Sequence, residues 1–203
     1  MNALELYKGT GSFGKEAKKL GFNVISLDIN PKSNATITTD ILKWNYKELK
    51  DVPISFIWAS PPCETYSVWN YSTRKEERDV NDATPYSERA KLGTKILYQT
   101  LKIINYFRKL NPKMGFCIEN IRGMMRKDKR MLRLPFRGTT SYNQYGFDRI
   151  YKPTDFWTNF PLFLYPVKKP KNIERIKDIP LNERFKIPPD LITHILTTYL
   201  NNA

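Results

Sequence analysis

Apolar and polar residues alternate in blocks along the first two thirds of the chain, and the period changes from block to block. LELYKG (residues 4–9) reads as a short buried strand, and GSFGKEAKKLG as a glycine-started helix that Gly21 stops. FNVISLDIN (22–30) is a second strand closed by Pro31, and the β-branched ATITTDI (35–41) a third. ISFIWAS (54–60) is almost continuously apolar, as expected of a strand covered on both faces. From Glu88 to Phe107 the period becomes helical: Leu92, Ile96, Leu97, Leu101, Ile104 and Phe107 mark one face, and Asn111-Pro112 ends it. MGFCIEN (114–120) is another buried strand. This order predicts an α/β fold, a mostly parallel doubly wound sheet with helices on both faces. Beyond residue 139, TTSYNQYGF and the stretch around DFWTN read as paired strands, which adds an antiparallel C-terminal edge strand. IPPDLITHILTTYL reads as a helix over about 188–201 with proline in its first turn. Residues 64–87 hold no regular period and are expected to form a long surface loop.

A chain of 203 residues, 40% of them hydrophobic, suits one domain over 1–203 and excludes wholesale disorder. No apolar run approaches the ~20 residues of a spanning helix. The start, MNALELYKGTG, lacks the features of a signal peptide, so none is expected. Cys63 and Cys117 are too few for a disulfide framework or a zinc site, which points to a reducing compartment and no metal. The net charge of +14 favours a polyanionic partner, nucleic acid before an anionic membrane. Part of that charge is concentrated at 122–137: Arg122, Arg126, Lys127, Lys129, Arg130, Arg133 and Arg137 face only Asp128. Lys168, Lys169 and Lys171 form a weaker patch.

Chemistry collects at the predicted strand ends. Gly9-Thr10-Gly11-Ser12-Phe13-Gly14 fits G-x-G-x-x-G between a strand and a helix, where glycines allow a tight turn and a helix N-terminus favours an anionic group. Asp28 ends the next strand, near where an acid meets ribose hydroxyls; a tight structural turn remains the plainer reading of the glycines alone. Ser60-Pro61-Pro62-Cys63 follows the fourth strand with a stiff backbone and a thiol, a strong nucleophile once ionised. A lone cysteine there is more often just a small strand-end residue. Glu119-Asn120 ends the fifth strand; burial would fit its acid for proton donation, while a capping or salt-bridged carboxylate is the competing reading. Cys117 reads as a core thiol, and His194, the only histidine, as structural or exposed.

Taken in order, LELYKGTGSFG, FIWASPPC and FCIENIRG resemble the first, nucleophile and Glu-Asn motifs of the cytosine-5 DNA methyltransferases. SPPCETYS, QYGFDRIYKPTDFWTN and ERFKIPPDLITHIL extend the resemblance over nearly the whole chain, closest to short phage- or virus-encoded members. The resemblance implies a Rossmann-like S-adenosylmethionine-dependent fold and methyl transfer to carbon 5 of a cytosine flipped out of duplex DNA. Cys63 would add to carbon 6, and Glu119 would hold ring nitrogen 3 and the exocyclic amine. Tyr7, Gly9, Thr10, Gly11, Ser12 and Phe13 would border the cofactor, with Asp28 and Ile29 at the ribose, Asp40 and Ile41 at the adenine, and Ser60 and Pro61 beside them. Pro62, Tyr66, Ser67, Arg122 and Arg126 would meet the substrate. The loop after Cys63, with Tyr66, Trp69 and Tyr71, is the candidate for closing over the everted base.

Two departures stand out. Only Arg122–Thr140 separates the Glu-Asn motif from the next strand, too little for a separate target-recognition domain. Specificity is then short, relaxed, or supplied by a protein partner or oligomer. The family's glutamine–arginine–arginine motif is altered, with Gln144 and Arg149 the candidate substitutes. No membrane association is expected, and the cytoplasm, of a host if the chain is phage- or virus-encoded, is the expected location. An amino-methyltransferase would carry an aromatic residue where Cys63 stands. A nicotinamide enzyme would leave Pro-Pro-Cys and Glu-Asn unexplained. RNA as substrate, and a non-catalytic DNA-binding module, remain alternatives.

Overall fold

The blocks assemble into one seven-stranded sheet of order β3-β2-β1-β4-β5-β7-β6. The computed structural model describes residues 1–67, 77–174 and 179–202, the side chains of residues 181 and 182 excepted. Strands β1 (Asn2–Leu6), β2 (Asn23–Asp28), β3 (Ile37–Thr38), β4 (Ile54–Ala59) and β5 (Gly115–Ile121) run parallel. The hairpin strands β6 (Phe136–Ser141) and β7 (Pro153–Thr158) complete the sheet, with β7 reversed and inserted between β5 and β6. This is the mostly parallel doubly wound sheet that the sequence pattern predicts, with its reversed strand one place in from the edge.

Side-chain alternation gives the sheet two apolar faces. On one, Leu4, Leu6, Ile57, Phe116 and Ile118 pack under Leu97, Leu101, Ile104 and Phe107 of helix α2 (Glu88–Leu110). On the other, Ala3, Phe56, Trp58, Cys117 and Phe156 meet helices α1 (Ser12–Lys19) and α3 (Pro189–Asn202). Phe13 and Ala17 of α1 join Leu191, Ile192, Ile195 and Leu196 of α3 in that layer. The Ser87 hydroxyl starts α2 by accepting the Ala90 N–H at 3.0 Å.

Three expectations change. β1 stops at Leu6 because Tyr7 turns left-handed (φ 64°), so the glycine turn begins two residues earlier than residue 9. β3 keeps only two residues, because Asp40 folds the chain back: its Oδ1 accepts the Leu42 N–H and its carbonyl the Lys43 and Trp44 N–H groups. The described part of 64–87 is not a surface loop throughout, since Thr65, Tyr66 and Arg78 are buried. The Arg78 guanidinium reaches Thr65, Ala83, Ala90 and Thr94 and lies 3.8 Å above the Tyr66 ring, tying this stretch to the start of α2.

Candidate active site

The strand order reverses between β1 and β4, and open α/β sheets bind ligands beyond the strand ends at such a switch point. The β1 turn is shaped there by left-handed backbone at Tyr7, Gly9 (φ 50°) and Gly11 (φ 70°). Gly11 opens α1 with no side-chain cap of its own, and in the first turn the Gly14 N–H is taken by Glu5. Asp28 at the end of β2 fixes the turn: its Oδ2 accepts the Gly9 N–H and its Oδ1 the Asn30 N–H, each at 2.8 Å. A carboxylate has about four acceptor positions, so two remain for hydroxyl groups. Ile29 beside it is 68% exposed, whereas Ile41 is buried. Thr10 and Ser12 share a hydrogen bond, and Ser12 also accepts the Ile187 N–H at 3.2 Å. Tyr7 donates to Thr100 of α2 at 2.6 Å, and burial holds its hydroxyl far above its usual pKa.

Glu5 lies directly under this turn, 2% exposed, and accepts the Gly14 N–H at 3.1 Å. Its second oxygen has no partner among the described residues. A Cβ on Gly14 would stand 2.7 Å from that oxygen, so the last glycine of the motif is fixed by the approach of α1 to Glu5. Burial pushes the Glu5 carboxyl up to about 7 against the pull of the Gly14 N–H and Lys8. The sequence reading missed Glu5, although an acid inside an apolar strand was a visible signal.

Cys63 is half-buried at the end of β4, in a turn where its carbonyl accepts the Tyr66 and Ser67 N–H groups. Trp58 Nε1 holds the Ser60 hydroxyl at 3.0 Å, Pro61 is buried, and Pro62 is exposed. The turn is fastened to β5 from two sides. Asn120 donates to the Pro61 carbonyl at 2.8 Å, and the Met124 N–H donates to the Tyr66 carbonyl at 2.7 Å. Ser67 forms a bridge with Gly123, whose hydrogen cannot be replaced: a Cβ there would lie 2.1 Å from the Tyr66 carbonyl oxygen.

Glu119 is 7% exposed on β5, beside the Cys63 turn. Tyr142 donates to its Oε1 at 3.2 Å, and burial together with Glu119 keeps that phenol protonated, well above its usual pKa. Burial and then the Glu119 carboxylate push the Cys63 thiol up, while the Lys152 ammonium pulls it down. Lys152 Nζ sits 4.7 Å from the centre of the Tyr142 ring and donates to the Arg184 carbonyl at 3.3 Å. Thiol, carboxyl, phenol and ammonium therefore converge from β4, β5 and the β6–β7 hairpin. Asn120 belongs to the Glu-Asn pair that the sequence marks, whereas Tyr142 and Lys152 are not singled out there; only tertiary folding brings them to Glu119 and Cys63.

Several expected substrate contacts are placed elsewhere. The Tyr66 ring is buried beneath Arg78 and cannot close over a base from there. Arg126 is spent on a bidentate ion pair with the fully buried Asp155 of β7. Arg149 points outward to Glu174 at 3.0 Å, so it does not stand in for the missing arginine motif, and Gln144 is half-buried in the turn after β6. Arg122 is exposed next to Gly123. Trp69 and Tyr71 lie outside the described residues. Cys117 is fully buried, and His194 Nδ1 meets the Tyr145 hydroxyl at 3.1 Å. Among the described residues, no group of three or more His, Cys, Asp or Glu is placed to hold a metal ion, and no helix is long and apolar enough to cross a membrane.

No protein-family profile matches the chain. A probable DNA (cytosine-5)-methyltransferase of Frog virus 3 (isolate Goorha) is 32% identical to it over 125 residues, which cover 59% of this chain and 53% of the viral protein. The chain thus spans about half the length of the curated relative it matches. Among solved structures, the S. pombe Dnmt2 methyltransferase aligns with a TM-score of 0.55 at 16% identity, over 89% of this chain and 58% of its own. A mutant DNMT2 of Spodoptera frugiperda gives 0.51 at 18%, over 85% and 56%. The Entamoeba histolytica methyltransferase EhMeth gives 0.50 at 16%, over 94% and 64%. The sheet is the Rossmann-type fold of these methyltransferases, and the viral similarity supports the cytosine-5 family.

Proposed function

We propose that the protein is an S-adenosylmethionine-dependent methyltransferase that modifies carbon 5 of a flipped-out cytosine in DNA through a covalent Cys63 adduct. The observation that carries this reading is the pairing of a half-exposed thiol with a buried carboxylate that acts on its ionisation, at the ends of neighbouring strands β4 and β5. Similarity to the viral protein named as a DNA methyltransferase supports it.

The residues fit the cofactor. The left-handed glycine turn leaves backbone close to a ligand, Asp28 keeps acceptor capacity for ribose hydroxyls, and the exposed Ile29 offers an apolar surface for a purine. Asp40 would take the adenine amine. S-adenosylmethionine supplies an electrophilic methyl group carried on a sulfonium.

Cytosine carbon 5 is a poor nucleophile until carbon 6 is attacked. The Cys63 sulfur forms a bond to carbon 6, and the displaced electron pair is taken up as ring nitrogen 3 receives a proton from Glu119. Passing the thiol proton to Glu119 beforehand balances that transfer and removes the carboxylate charge that opposes thiolate formation. The Tyr142 hydroxyl fixes Oε1 of Glu119, which leaves Oε2 for the base. Lys152 offsets the negative charge on sulfur. After carbon 5 has accepted the methyl group, water takes its proton; the freed pair restores the ring double bond and expels the Cys63 thiolate, while ring nitrogen 3 returns its proton to Glu119, which hands it back to the sulfur. Arg122 and its exposed basic neighbours would hold phosphates, with affinity that falls steeply with salt.

Tritiated methyl transfer to duplex DNA tests the reading. The chain should place label at 5-methylcytosine, and Cys63→Ala should lose it by about 10³-fold or more. A mechanism-based cytosine analogue should trap a covalent protein–DNA adduct that Cys63→Ala cannot form. Label that persists in Cys63→Ala, or that appears on an exocyclic nitrogen, refutes the mechanism; label on RNA but not DNA moves the substrate to RNA cytosine.

A further inference from the structure

A groove of about 610 Å³ opens on the α2 side of the sheet, lined by Lys102, Arg108 and Lys109 of α2, by Arg130 and Arg133, and by Tyr98. Arg108 and Lys109 also line a second hollow that reaches Pro112. Five lining side chains are cationic and none is a carboxylate. Asp128 of the same segment is buried and already accepts the Tyr98 hydroxyl and the Arg130 N–H. Arg130 lies 3.3 Å over the Tyr98 ring, so its position is held without neutralising its charge. Arg108 carries the second observation: its Nε is shut off from solvent and has no acceptor among the described residues. Arg108 as a whole is half-buried, but an unmet donor at its solvent-excluded Nε is costly, and an arriving anionic oxygen removes the cost.

The groove is separate from the thiol site. Phe116, which lines it, precedes Glu119 by three residues on β5, about 10 Å along the strand. Phe116 also faces the α2 layer, whereas Cys117, its neighbour in the chain, faces the α1–α3 layer that Glu119 shares by alternation. The basic stretch that begins at Arg122 beside the Cys63 turn continues along the chain to the exposed Arg130 and Arg133 in the groove.

We propose that this groove is a second nucleic-acid site, which grips one phosphodiester strand of the substrate away from the target base. It rests on the reading that the substrate is a nucleic acid, and it adds grip on the phosphodiester backbone at a distance from the reacting base. Lys102 and Lys109 are exposed, so replacing them leaves the core intact.

The experiment measures binding of unmodified duplexes of about 8 and about 24 base pairs over a range of salt, with the full chain and with the Lys102→Gln/Lys109→Gln variant. The long duplex should bind the variant about tenfold more weakly, with a log–log salt slope shallower by about 2. The short duplex should bind both proteins alike and be methylated alike. Equal loss for both lengths, or no loss for either, overturns the proposal. So does displacement of the long duplex by poly-glutamate as readily as by DNA of equal charge. The readout is binding, so the two readings fail separately: methyl transfer without length-dependent binding sinks only the groove, and length-dependent binding without methyl transfer sinks only the chemistry.

Discussion

Glu5 makes the glycine turn sensitive to pH. Folding raises its carboxyl from the usual 4.5 to about 7, so between those values the folded chain keeps a proton that the unfolded chain has released. Stability is greatest below the window and falls as pH rises through it, by on the order of 3 kcal/mol in full. Glu5→Gln should flatten this dependence and raise the melting temperature at pH 8 relative to the parent, read by thermal denaturation from pH 4.5 to 8. A parent whose stability is flat over that range would contradict the assignment. Cys63 gives a second test, because two neighbours pull its thiol in opposite directions. Lys152→Met should move the pH profile of Cys63 alkylation to higher pH, and Glu119→Gln should move it to lower pH. Shifts of the same sign would mean that disturbed packing, rather than charge, controls the thiol.

At the scale of elements, the turn after β4 is positioned by the segment after β5. Gly123 has an extended backbone that any residue can adopt (φ −173°), so its requirement is one of space alone. Gly123→Ala must push the Tyr66–Ser67 backbone away and strain the Met124 to Tyr66 hydrogen bond, at a cost of about 1–3 kcal/mol. Methyl transfer should fall at least tenfold while S-adenosylmethionine binding, followed by calorimetry, stays near the parental value. The sequence made the strands, α2 and the strand-end motifs legible, because their apolar periods and their Gly, Pro and Glu-Asn punctuation are local. It also placed the β6–β7 pairing and the start of α3. What it could not show depends on residues far apart in the chain. Arg126 looked like a phosphate ligand until Asp155 of β7 arrived beside it. Tyr66 looked like a lid residue until Arg78 covered it. Lys152 had no local mark, and only the hairpin brings it to Cys63.

At the scale of the molecule, the α1 face is completed by α3. Leu191, Ile192, Ile195 and Leu196 are all fully buried in the layer that holds Phe13 and Ala17, and the Ile187 N–H closes onto Ser12 at the mouth of the glycine turn. Ile195→Ala should cost about 2–5 kcal/mol by urea denaturation. It should also weaken S-adenosylmethionine binding, because α1 carries the turn. A loss of stability with cofactor affinity intact would mean that α3 only fills the core.

The Ile187–Ser12 link joins residues 175 positions apart, and this separation bears on how the protein is made. Asp28 and Thr100 brace the glycine turn soon after it is synthesised, yet its Ser12 side waits for Ile187, which is translated much later. Termination before α3 should therefore yield fragments whose donor pocket lacks its Ser12 side, and a separately synthesised peptide carrying Ile187 and α3 should be able to restore it in trans.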